Sequence, residues 1–157
     1  MALLTVEVVA VDRMVWAGEA TRLVAKTLEG EIGILPGHEP VLALLADSAV
    51  RIEGADGERL TFAVHKGFFS VADNRVSVLA ESAELSTQID VARAEAALAS
   101  AKSALAAAES AGGAGGVGSG SGIAGSAGGA SGSTQSDDPE SALARAETRL
   151  KVANPDA

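Results

Sequence analysis

From residue 2 to residue 84 apolar and polar residues alternate, and a period of two leaves a chain little choice but to form strands. Leu4, Val6 and Val8 fall on one face, and Leu23 and Ala25 resume the pattern after a Trp16-Ala17-Gly18-Glu19 corner. Val50 and Ile52 precede the polar turn Gly54-Ala55-Asp56-Gly57, after which Leu60, Phe62 and Val64 return to one face. Asp73-Asn74 separates Phe69-Ser70-Val71 from Val76-Ser77-Val78-Leu79. Short β-rich runs with closely spaced turn signals predict an antiparallel β-sandwich or flattened barrel. Within it, Glu29-Gly30-Glu31-Ile32-Gly33-Ile34-Leu35-Pro36-Gly37-His38 reads as a tight strand with no room for a bulky side chain at Gly33. A Pro36-Gly37 turn then presents a histidine.

Beyond residue 90 the period changes. Val91, Leu98 and Leu105 recur every seventh position, each followed three residues later by Ala94, Ala101 or Ala108. That spacing is a helical seam with small residues, which lets a partner helix approach closely. The seam returns with Leu143 and Leu150, followed by Ala146 and Ala153, after Asp138-Pro139, a good helix start. Between the two seams, residues 112 to 133 hold 11 of the chain's 18 glycines. A Gly/Ser/Ala stretch of this kind cannot build a core and behaves as a flexible tether with a reach of roughly 25 Å. The expected organisation is α+β: a β-sandwich over 1–86, then a two-helix antiparallel hairpin. Its first helix spans 87–110, its linker 111–137 and its second helix 138–154.

Composition narrows the function. A net charge of −9 argues against nucleic acid as a partner, because such binding needs a basic face. The absence of cysteine removes disulfides and thiolate metal sites. No apolar run approaches the roughly 20 residues that span a bilayer, and Met1-Ala2-Leu3-Leu4-Thr5 is too short and uncharged for a signal peptide. Any membrane contact is therefore expected to come through a partner.

Few residues suggest chemistry. Thr87-Gln88-Ile89-Asp90 fits a capping box in which Thr87 caps and Asp90 reaches back, and Arg93 would pair with Asp90 three residues earlier. Arg145 and Arg149 share one face of the second helix at i, i+4 spacing. His38 and His65, without cysteine or a converging carboxylate pair, make a poor case for metal or catalysis. His65 is expected on the polar face of its strand. No phosphate-binding loop of the G-K-[ST] type is present.

As a string, E-G-E-I-G-I-L-P-G-H at 29–38 resembles the signature stretch of the epsilon subunit of bacterial F-type ATP synthases. The run F-A-V-H-K-G-F-F-S-V-A-D-N-R-V-S-V-L-A-E-S-A at 62–83 is similar to that family's last sandwich strands. I-D-V-A-R-A at 89–94 is similar to the opening of its first C-terminal helix. Roughly residues 3–110 and 138–153 match in order and spacing, and the glycine-rich middle departs from the pattern.

The resemblance implies a non-catalytic central-stalk rotor subunit that couples proton flow to ATP synthesis. Its hairpin would restrain ATP hydrolysis when extended and permit turnover when folded. The implied partners are the gamma subunit, the c-ring and the alpha/beta catalytic hexamer. The implied location is peripheral, on the cytoplasmic side of the bacterial plasma membrane. Glu29, Glu31 and His38 would face the c-ring. No cofactor is required, and ATP is the regulatory ligand that the resemblance implies. Ile89, Asp90 and Arg93 match the family's nucleotide motif, Arg145 and Arg149 would complete it from the second helix, and Glu84 would orient them or contact the adenosine part. Where ATP-binding members carry one more arginine, this chain has Ala99-Ser100-Ala101 beside Lys102, a loss on the order of 1–3 kcal/mol. A stand-alone nucleotide-sensing module is the alternative. A β-sandwich hydrolase using His38 lacks a nucleophile–base pair.

Overall fold

The computed structural model describes residues 2–112 and 138–154. Seven strands form one sheet that closes on itself: β1 (Leu4–Ala10), β2 (Met14–Thr27), β3 (Gly30–Ile34), β4 (Val41–Leu44), β5 (Ser48–Gly54), β6 (Arg59–Ala72) and β7 (Arg75–Leu85). Their order is β1-β7-β6-β5-β2-β3, with β4 on β6 and an additional β1–β2 pairing that seals the flattened barrel. The expected antiparallel scheme has one exception among the described strands, since β1 runs parallel to β7.

The core is the aliphatic set that alternation predicts. Leu4, Val6, Val8, Leu23, Ala25, Val50, Ile52, Phe62, Val64, Phe69, Val71, Val76 and Val78 are all buried in one cluster. Strict alternation along β6 would place Phe62, Val64 and Phe69 on different faces, yet all three are in that core. The backbone resolves this at Lys66 and Gly67, whose φ angles are +48° and +126°. These left-handed residues swing the β6–β7 ribbon from one layer of the sandwich to the other. Only glycine serves at position 67, because an added Cβ would lie 2.0 Å from the Leu79 carbonyl oxygen. The steric expectation at Gly33 is not met: a Cβ there would touch nothing within 4 Å. The positional demand lies at Gly37, where φ is +87°.

The chain leaves the sandwich through a single 3₁₀ turn at Ser86–Gln88, and Ile89 follows in extended conformation. That break displaces the expected capping box. Thr87 sits inside the turn, and α1 (Val91–Gly112) starts after it. Asp90 is the residue that caps, its carboxylate accepting the Arg93 backbone N–H at 3.0 Å. The Arg93 side chain points into solvent. The first two residues of the expected linker, Ala111 and Gly112, continue α1, and residues 113–137 lie outside those described. The second helix, α2 (Pro139–Ala153), has Pro139 at its first position. Asp138 stands at the cap without a side-chain capping hydrogen bond.

The two helices pack on each other antiparallel, and α2 rather than α1 carries the contact with the sheet, against β5, β6 and the 3₁₀ turn. Ala94, Ala101 and Ala146 are buried and Leu98, Leu105, Leu143 and Leu150 half-buried, which is the predicted Leu/Ala seam; Ala108 is exposed. The other side of α2 buries Val152 against Ala63 and Ile89. Hence β6 is buried on both faces from Phe62 to His65: Phe62 and Val64 point into the sandwich, Ala63 and His65 toward α2.

Candidate functional site

Docking of α2 on the outer face of β6 and β7 creates a recess of about 350 Å³ between sheet and hairpin. His65, Ser82 and Glu84 form its floor, and Arg145, Ala146 and Arg149 are among the residues of its roof. The floor follows from strand register. His65 pairs with Ser82 and Ala63 with Glu84, so these side chains line the outer face of neighbouring strands. The roof follows from helical spacing, with Arg145 and Arg149 one turn apart.

Arg149 grips Glu84 with two parallel hydrogen bonds. Its Nε donates to Glu84 Oε2 at 3.0 Å, and its Nη2 donates to Glu84 Oε1. Both side chains are largely buried, at 27 % and 22 % exposure. A two-pronged, charge-assisted contact of this kind is worth about 1.5–3 kcal/mol. It ties the hairpin to the sandwich.

Beneath it, His65 is only 3 % exposed, and neither ring nitrogen has a hydrogen-bond partner among the described residues. The nearest carboxylate, Asp47, is 4.0 Å from Nδ1 and accepts the Lys66 backbone N–H at 2.8 Å. Burial holds the His65 pKa below the ordinary histidine value; the positive charges of Arg149 and Arg145 push the same way, while Asp47 and Glu84 oppose. The expected placement on the polar face of its strand holds, but that face is not open to solvent, because α2 covers it.

Of the six residues expected around a nucleotide, Glu84, Arg145 and Arg149 meet in this recess. Ile89 belongs to the small apolar cluster with Val152 and Ala63, Asp90 caps α1, and Arg93 is exposed at the start of that helix. His65 and Ser82 were not among the expected site residues. Position in an alternating strand gives their face, and nothing in the strand itself tells that a distant helix returns to cover it. No group of three or more His, Asp or Glu able to hold a metal ion occurs among the described residues.

The other expected surface is divided by a strand. Glu29 lies in the β2–β3 turn, where its N–H meets Thr27 Oγ1 at 3.2 Å, and Glu31 on β3 is 3.9 Å from Arg51. His38 follows the far end of β3 in a turn pinned by Asn74, whose Oδ1 accepts the Gly37 N–H at 2.7 Å. Glu29 and His38 thus flank β3 at opposite ends, roughly 17 Å apart by strand rise.

A third surface was not singled out in the sequence. Cross-strand neighbours Leu44, Phe68, Leu79, Val9 and Met14 form one row across β4, β6, β7, β1 and β2. Four of them are exposed: Leu44 at 60 %, Met14 at 60 %, Phe68 at 42 % and Leu79 at 37 %. The row lies on the layer that the hairpin leaves bare. No helix among the described residues is long and apolar enough to cross a membrane.

Comparison with known proteins agrees with this architecture. Residues 3–86 match the family described as ATP synthase, Delta/Epsilon chain, beta-sandwich domain. The chain is similar to the ATP synthase epsilon chain of Streptomyces avermitilis, with 55 % identity over 92 residues, 59 % of this chain and 74 % of that one. It is likewise similar to that of Rhodococcus jostii, with 56 % identity over 100 residues, 63 % of this chain and 82 % of that one. Its fold is similar to a chain in the mitochondrial ATP synthase OSCP/F1/c-ring assembly of Euglena gracilis. The TM-score is 0.60 at 21 % identity, covering 99 % of this chain and 79 % of that chain. The chain belongs to the epsilon-chain family of ATP synthase, whose members are non-catalytic subunits of that enzyme.

Proposed function

We propose that this chain is a central-stalk rotor subunit whose hairpin exists in two packings, docked on the sandwich or released, and that the released form restrains ATP hydrolysis. The observation that carries this reading is the composition of the docking interface. Among the described residues, α2 meets the sandwich through the small apolar cluster of Val152, Ala63 and Ile89 and through the Glu84–Arg149 ion pair. Burying Val152 contributes about 1.5–2 kcal/mol and the Glu84–Arg149 pair about 1.5–3 kcal/mol. Against the entropy of ordering a helix, sums of this size leave docking reversible.

On this reading, ATP binds the docked hairpin and favours it in proportion to its differential affinity for the two packings. Arg145 and Arg149 supply guanidinium forks suited to phosphate oxygens, Arg93 swings in from its exposed position at the start of α1 when nucleotide binds, and Glu84 and Asp90 orient the arginines or meet the adenosine part. Because Arg149 is held by Glu84 in this structure, a nucleotide would exchange one anionic partner for another. The bare apolar row through Phe68 and Leu79 suits a permanent protein partner, since monomeric surfaces rarely leave such patches open. We assign it to the gamma subunit. Edge strand β3 and its flanking turns, with Glu29, Glu31 and His38, are assigned to the c-ring. The released hairpin would reach toward the alpha/beta hexamer. Attachment to the cytoplasmic side of the plasma membrane then comes through these partners alone.

Calorimetric titration of the full chain with ATP, with and without magnesium, tests the nucleotide part. Saturable binding that weakens at least tenfold in Arg93→Ala, and is lost in Arg93→Ala/Arg149→Ala, is expected. No binding up to millimolar ATP would remove ATP gating and leave a hairpin that moves without sensing nucleotide.

A further inference from the structure

Of the ionisable groups in the hairpin recess, His65 is the one left with neither solvent nor a hydrogen bond. A buried imidazole without partners is tolerable while neutral and costly once charged. Every element packed around it contributes to that balance. Asp47 faces it from the β4–β5 turn at 4.0 Å, and Glu84 and the uncharged Ser82 from β7. Arg145 and Arg149 face it from α2, and α1 brings only Ala97 to the recess. The roof is one helix outside the sheet, whereas the floor is part of the closed sheet. Lifting α2 would expose the imidazole without disturbing a single strand pairing.

We infer that His65 makes hairpin docking acid-sensitive: a proton on its ring favours release of α2 from the sandwich. This rests on the reading above that α2 docks reversibly, and it does not need ATP. The direction follows from linkage. Docking lowers the affinity of His65 for a proton, because desolvation, reinforced by Arg149 and Arg145, outweighs Asp47 and Glu84. In the released hairpin the ring is solvated and titrates near the ordinary value of about 6.5. Above that pH the ring is neutral in both packings and docking has its full strength. As pH falls below it, the released form takes up the proton first. The docking constant then drops by up to about tenfold per pH unit, until the docked ring also titrates. Acidification thereby shifts the hairpin toward the form that restrains hydrolysis.

The test uses the full chain, which has no native cysteine. Arg51→Cys on β5 and Lys151→Cys on α2 place labels on either side of a second, neighbouring cleft at the C-terminal end of α2, and the distance between them is followed from pH 8 to pH 5. The short-distance population is expected to fall below about pH 6.5. In a His65→Leu background it is expected to persist throughout. Asp47→Asn, which removes the carboxylate that tempers the cost of charging, is expected to lower the pH at which the docked ring titrates and so to deepen the loss at pH 5. Should His65→Leu fail to fold, the NMR titration of His65 in the unlabelled chain decides, a midpoint below the ordinary histidine value being expected. A short distance unchanged down to pH 5, the same profile in His65→Leu, or an ordinary His65 midpoint would each overturn the inference. ATP added to the labelled chain at pH 7.5 reports separately on nucleotide gating: failure there would leave the acid response standing.

Discussion

Single residues decide where this fold bends and where it can be opened. Gly67 is the clearest case. Its left-handed backbone and the Leu79 carbonyl 2.0 Å from any added Cβ leave no tolerated substitution. Gly67→Ala is expected to destabilise the sandwich by about 2–3 kcal/mol, read as a lower urea midpoint at unchanged slope. A midpoint within error of the parent would mean that the β6–β7 ribbon can bend elsewhere. Local chemistry was only partly legible at this scale. Asp90 was recognised as part of a cap, but the 3₁₀ turn at Ser86–Gln88 moved the helix start and gave it Thr87's role. Gly33 looked sterically constrained by its place between isoleucines, and is open, because the strand it occupies is an edge with space beside it.

At the scale of elements, α2 is the informative one, since it works on two sides. Its seam with α1 was readable from Leu143, Ala146, Leu150 and Ala153, because heptad spacing survives any context. Its second side was not readable. Spacing puts Arg145 and Arg149 on one face, but the burial of Thr148 and the grip of Arg149 on Glu84 are visible only in the docked structure. The same reason hid His65: a polar residue at an outward strand position carries no mark of a helix that arrives from the far end of the chain. Leu98→Asp, in the seam of α1, is expected to cost roughly 1–2 kcal/mol of helix pairing. Amide exchange over residues 140–152 would then speed about tenfold or more while the strands keep their protection. Unaltered exchange there would place the helix contact somewhere other than this seam.

Across the whole molecule, the flattened barrel separates two outer faces with different properties. One is covered by α2 through a thin, partly ionic contact, which suits a part that comes and goes. The other shows the bare row from Leu44 to Met14, which suits a partner that stays. Alternation made the barrel and its aliphatic core readable in advance. The exposed row escaped notice because its residues come from five strands and become neighbours only through register. The same division predicts that the sandwich folds without the hairpin, because no strand of the closed sheet depends on it for pairing.

The most direct measurement is ATP hydrolysis by the assembled synthase containing this subunit either whole or without residues 87–157. Faster hydrolysis with assembly intact is the predicted result, because in the proposed function the released hairpin is the restraint. Unchanged hydrolysis in an intact complex would contradict the account and reduce the hairpin to a structural appendage.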